Sequence, residues 1–218
     1  MKGKINALLL SLCIVLLMVA TIVGTVAYLT DTEEVVNTFT VGKVNITLDE
    51  ADVDENGKVI EGNHRVKENR YHLVPGRKYV KDPTITVVKG SEKSYVRMLV
   101  TINEASDLKA VFGDNFLPQN YAQGWDSEVW NCVSTTVNND DTVTYEFRYH
   151  TTVDASDSDK DIVLQPLFTS IAVPGELDGA ELEAIKDLKI TVIGNAIQET
   201  GFKTVDDAWV AFEAQINK

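Results

Sequence analysis

The string Asp52-Val53-Asp54-Glu55-Asn56-Gly57 holds the residues best suited to chemistry in this 218-residue chain. Oxygen-bearing side chains at alternate positions, followed by a glycine that permits a sharp turn, match the first half of a calcium-binding loop. The second half departs from that pattern: Asn63 stands where a bidentate glutamate should close the shell, with Glu61 nearby. The same residues also read as a hairpin, because Asn56-Gly57 between short alternating segments is a strong type I′ turn signal. The hairpin is the favoured reading. Asp52, Asp54 and Asn56 remain the calcium candidates, and no other cofactor is expected.

Catalytic constellations are hard to assemble from the rest. The histidines are His64, His72 and His150, and no His-Glu-x-x-His places two of them on one helical face. On one extended strand His64 and His72 would stand about 26 Å apart, so they could share a zinc only if the chain turned back at Glu68-Asn69. There is no Gly-x-Ser-x-Gly and no phosphate-binding glycine loop. Cys132 is alone once Cys13, in the apolar N-terminal run, is set aside; it reads as a small hydrophobe on a strand. Asp157, Asp159 and Asp161 alternate, but Ile162 follows where glycine would be needed. Tyr121, Trp125 and Trp130 suit either a carbohydrate platform or a core, and the core is favoured.

The elements that would position these residues have a period of two. Val44, Ile46 and Leu48 alternate with polar residues, as do Val96, Met98, Val100 and Ile102, and then Val143, Tyr145, Phe147 and Tyr149. Further strands are expected at 79–88, 129–137, 168–173 and 188–193. Asn56-Gly57, Pro75-Gly76, Lys89-Gly90 and Asn138 to Asp141 separate them as turns. Short helices are expected at 104–112 and 180–188. The last helix is better specified: Thr204 and Asp207 resemble a capping box, and Val205, Ala208, Trp209, Phe212 and Ile216 share one face. Strands without alternating helices predict an all-β chain, an antiparallel β-sandwich of jelly-roll type with short helices in the connections and a C-terminal helix.

Residues 1–27 stand apart. Lys2 and Lys4 precede an apolar run from Ile5 to Ala20, and the first acid is Asp31. At roughly 20 residues such a run serves either as an export signal or as a membrane anchor. Thr25-Val26-Ala27 puts small residues where a signal peptidase reads, so cleavage between Ala27 and Tyr28 is favoured. A retained anchor is the alternative and the one expected route to a membrane. The chain therefore divides into a signal peptide, 1–27, and a single β-sandwich domain, 28–218, with 28–41 as a candidate donor strand or flexible N-terminal segment. Cleavage removes two lysines and no acid, taking the formal charge from −13 to −15. Such a charge repels phosphate backbones, so nucleic acid is not an expected partner.

The stretch GTVAYLTDTEEVVNTFTVGKVNITLDE, Gly24 to Glu50, resembles the N-terminal signature of the TasA/camelysin family of exported Gram-positive proteins. There a small-residue junction cut by a SipW-type signal peptidase precedes an acidic stretch, an Asn-x-Phe, a glycine and a first strand; Asn37, Phe39 and Gly42 hold those places. Leu73 to Ile102 is similar to the family's Pro-Gly turn and Tyr-Val-Arg strand, Leu164 to Pro174 to its Pro-Leu-Phe strand, and Ala196 to Phe212 to its C-terminal end. The resemblance implies a secreted jelly-roll subunit at the cell surface or in the extracellular matrix, possessing as partners a signal peptidase and other copies of itself or related matrix subunits. In fibre-forming members the freed N-terminal segment is donated as a strand to the next subunit. Here Tyr28, Leu29, Val35, Val36 and Phe39 would make that contact, and strand addition to an open sheet edge is a physically sound way to build a filament. A camelysin-like surface metallopeptidase is the enzyme alternative, but no zinc motif is present onto which catalytic residues could be carried. A monomeric adhesin or carbohydrate-binding module is the third class.

Overall fold

The computed structural model describes residues 43–62, 64–113 and 121–216. Residues 42–218 form one compact unit. Eleven strands and three helices are described: β1 (Ile46–Ala51), β2 (Arg65–Val66), β3 (Lys78–Val80), β4 (Thr84–Val87), β5 (Ser94–Ile102), α1 (Ala105–Phe112), β6 (Ala122–Gln123), β7 (Trp130–Val137), β8 (Val143–Tyr149), β9 (Ile162–Val163), β10 (Ser170–Ala172), α2 (Gly179–Ala184), β11 (Ile190–Gln198) and α3 (Val205–Ile216). The strands make three antiparallel sheets in the orders β2-β1-β4-β9, β3-β10-β6 and β11-β5-β8-β7. The fold is therefore all-β in class, with short helices in the connections.

Alternation explains the centre of the molecule. Val96, Met98, Val100 and Ile102 point from β5 into the core, where Val143, Tyr145 and Phe147 of β8 and Ile85 and Val87 of β4 join them. Burying each large apolar side chain contributes about 1.5–3 kcal/mol relative to exposure. β11 lies over β1 and β4: a Cβ added at Gly194 would sit 3.0 Å from Ile85 Cδ1 and 3.6 Å from Ile46 Cδ1, so a side chain there would press the two sheets apart.

The expected strand at 79–88 is two strands in different sheets. Pro83 has no N–H to give a ladder, and Lys81 and Asp82 turn their side chains into ion pairs, so the chain leaves β3 and enters β4. The expected helix at 180–188 stops at Ala184, and β11 runs on to Gln198, well past 193. α2 carries a capping box between Asp178 and Glu181 that the sequence reading passed over. The box at the start of α3 does form: Asp207 N–H donates to Thr204 Oγ1 and Thr204 N–H to Asp207 Oδ2, each at 3.1 Å. Ile216, expected on the packed face of α3, is 60% exposed because that stripe leaves the sheet after Phe212.

Candidate functional site

The calcium candidates sit in a turn whose oxygens already face donors. Asp54 Oδ1 accepts the backbone N–H of Asn56 and of Lys58, both at 2.9 Å. Asn56 Oδ1 accepts Arg77 Nη1 at 2.5 Å, so this oxygen is already bonded to a guanidinium. Asp52 bonds through its backbone, donating to His64 O and accepting from Ile60 N–H. The hairpin forms, but not as a type I′ turn. Gly57 alone in the loop has a positive φ, +74°, and Gly57 N–H donates to Asp54 O at 2.8 Å, the pattern of a type I turn closed by a left-handed glycine. Asp at the first position and Gly at the fourth suit that turn, while its close approach to Tyr79 excludes any side chain at 57.

Below this hairpin lies a polar cluster absent from the sequence reading. Glu50 and Lys81 are buried and joined at 2.7 Å. Asn69 Nδ2 donates to Glu50 Oε1 and to Ala51 O, and its Oδ1 accepts Val53 N–H. Arg65 bridges Asp49 and Asp82 at 2.7 and 2.6 Å and donates to both of their carbonyls. Burial, with Glu50 and Asp82 close by, pushes the Tyr71 hydroxyl above its ordinary range, and that hydroxyl donates to Val80 O. The chemistry of the cluster is internal: it ties the excursion from 52 to 80 back onto β1.

A second cluster lies on the far face of the β5 sheet, under α3. Arg97 is buried, stacked 4.4 Å from the Trp209 ring and 5.2 Å from Phe212. Its guanidinium donates to Asn195 Oδ1 at 3.1 Å and to Glu213, with Glu146 3.7 Å away. Arg148 continues the network to Glu146 at 2.7 Å and Asp206 at 2.5 Å. Alternation along β5 marked Arg97 as facing away from the core; nothing local marked it as covered.

The remaining candidates separate. His64, His72 and His150 are exposed. Among the described residues no three His, Cys, Asp or Glu side chains come together in a way that could hold a metal ion. Cys132 is half-buried on β7, and burial raises its thiol pKa, which keeps it protonated and a poor nucleophile. Tyr121 and Trp130 are buried; Trp130 Nε1 donates to Gln165 O at 2.9 Å. Half-buried Trp125 donates to Trp130 O and packs edge-on to Phe147 at 5.4 Å, so these aromatics are core rather than platform. A cavity of about 40 Å³ among Leu73, Ile102, Leu108 and Ile185 is far below the ~300 Å³ at which small-molecule sites begin. A shallow groove of about 290 Å³ between β11 and α3, lined by Val44, Ala196, Gln198, Phe202, Phe212 and Gln215, carries no ionisable group. Among the described residues no helix is long and apolar enough to cross a membrane. Ala27 and the assembly candidates Tyr28, Leu29, Val35, Val36 and Phe39 lie outside the described residues.

Fold and site together define an all-β scaffold whose clustered charged side chains fasten its own parts. Compared with known protein families, curated proteins and solved structures, the chain matches none.

Proposed function

We propose that this chain is an exported structural protein of a Gram-positive cell surface or extracellular matrix, cleaved between Ala27 and Tyr28 and assembling into fibres through residues 28–41. The observation that carries this reading is the junction itself: an apolar run, small residues at Thr25-Val26-Ala27, then an acidic and partly apolar stretch leading to Gly42. The resemblance of that stretch and of Tyr95-Val96-Arg97 to TasA/camelysin proteins supports it. So does the use of the buried Glu50–Lys81 and Arg97 clusters in holding the scaffold, which leaves sheet edges as the natural means of interaction. In this reading the sheets β2-β1-β4-β9 and β11-β5-β8-β7 are the layers of a jelly-roll sandwich, supported by the packing of Gly194 on Ile85 and Ile46.

N-terminal sequencing of the secreted protein should begin at Tyr28, and electron microscopy of concentrated material should reveal filaments. Deleting Tyr28 to Thr38 should leave a soluble subunit that no longer elongates in sedimentation. An intact N-terminus at Met1, or unchanged sedimentation after the deletion, would overturn the proposal. Chelator-sensitive cleavage of casein by the pure protein would instead establish a metallopeptidase.

A further inference from the structure

The edges of the three sheets are not treated alike. β2, β6 and β9 are two residues long, and β3 is three residues long and begins with Lys78. Short and charged edges are how proteins avoid pairing with other chains. The sheet β11-β5-β8-β7 is bounded by strands of nine and eight residues that carry no charge and no proline, in a chain whose residues are 24% charged. The two differ in cover. Two of nine residues in β11 are exposed, and α3 packs beside it; six of eight in β7 are exposed, with Val133 at 46% and Val137 at 76%.

Register shows which backbone groups β7 leaves open. A bulge between Cys132 and Ser134 shifts the register; beyond it Ser134 and Thr136 stand opposite Glu146 and Thr144, and Asn138 N–H donates to Thr142 O at 2.8 Å, so from Ser134 onward the even-numbered residues bond to β8. The N–H and C=O of Thr135 and Val137 therefore point to the outer edge. Among the described residues no strand pairs there.

We propose that β7 is a self-pairing edge, through which two copies of this chain join antiparallel about a two-fold axis at Thr136. In that register Thr135 faces Val137 of the second copy, four main-chain hydrogen bonds form, Thr136 faces Thr136, and Ser134 faces Asn138. The occupant is a second copy because the register is self-complementary and because charge selects this strip. Copies carrying −13, or −15 once residues 1–27 are removed, repel one another over most surfaces, and here they meet through uncharged residues while covering Val137. The contact is isologous and closes on itself, whereas strand donation is head-to-tail; together they would pair two filaments side by side. This goes beyond the donor-segment reading and does not depend on it.

Thr136 lies at a non-hydrogen-bonded pair, where Cα atoms stand about 4.5 Å apart, within disulfide range. The full-length chain carrying Cys13→Ala, Cys132→Ser and Thr136→Cys is oxidised with diamide, beside an otherwise identical chain with Ser156→Cys in an exposed loop in place of Thr136→Cys. A reducible dimer is expected from Thr136→Cys at ten-fold or greater excess over the loop control, and adding Val137→Lys should abolish that excess. Equal yields from the two positions, no dimer although the thiol alkylates readily, or a yield that Val137→Lys leaves unchanged would each overturn the proposal. The crosslink reads β7 alone, so its failure is distinct from loss of fibres on deleting Tyr28 to Thr38.

Discussion

The guanidinium of Arg97 lies 4.4 Å from the centre of the Trp209 ring, so α3 buries a charge on what would otherwise be the wet face of β5. Stacking, the Asn195 oxygen and the carboxylates of Glu146 and Glu213 together offset the loss of water.

Arg97→Ala should destabilise the protein by about 3 kcal/mol, because it removes the stack and leaves Glu146 without one of its partners. Arg97→Lys should recover less than half, since an ammonium lacks the planar fork that both stacks and bonds. Urea unfolding measures both; a loss under 1 kcal/mol for Arg97→Ala would show that α3 is held by its apolar stripe alone.

Breaking the buried Glu50–Lys81 pair by Lys81→Met should cost about 3–5 kcal/mol, while Glu50→Leu combined with Lys81→Met should fall within about 1–2 kcal/mol of the parent. The single change strands a buried carboxylate and the double change removes both charges. If the double variant were as unstable as the single one, the pair would be contributing through shape and the Asn69 hydrogen bond rather than through charge balance.

Glu104 should make stability depend on pH. Burial first, then Asp187, Asp107 and Asp141, raises its carboxyl pKa above the ordinary 4.5. The folded chain thus holds this proton more tightly than the unfolded one, and the stabilisation it contributes is present at low pH and lost as pH rises through the raised value. Glu104→Gln should therefore give a small rise in Tm at pH 7 that shrinks towards pH 4. Equal rises at both values would point to backbone conformation at this residue, whose φ is +55°, instead of charge.

Gly57→Ala should cost at least about 1–2 kcal/mol, because the residue needs φ +74° and its Cβ would lie 2.6 Å from Tyr79 Cα. Asp54→Asn should be near neutral, since an amide oxygen can accept the same two N–H groups, whereas Asp54→Ala should cost about 1 kcal/mol. Thermal denaturation of the three variants would order them; a tolerated Gly57→Ala would mean that the hairpin moves freely against β3.

Much of the fold was legible because alternation is local. Val96 to Ile102 and Val143 to Tyr149 declare their inner faces residue by residue, and Thr204 and Asp207 declare a helix start within a single turn. The turn at 54–57 was visible, but its type depended on Asp54 capping two N–H groups, which the Asn-Gly pair does not signal. The break at Pro83 was missed because Val80 and Thr84 look continuous until their partners, β10 and β1, are known to lie in different sheets.

The sequence by itself determined the strand periodicity, the C-terminal helix, the set-apart apolar segment and the lack of a recognisable catalytic motif. Tertiary structure alone decided that Arg97 and the Glu50–Lys81 pair are buried, and that among the described residues β7 is a long strand with no partner on its outer side. Periodicity records which side of a strand a residue takes; only contacts between residues distant in the chain record what covers that side.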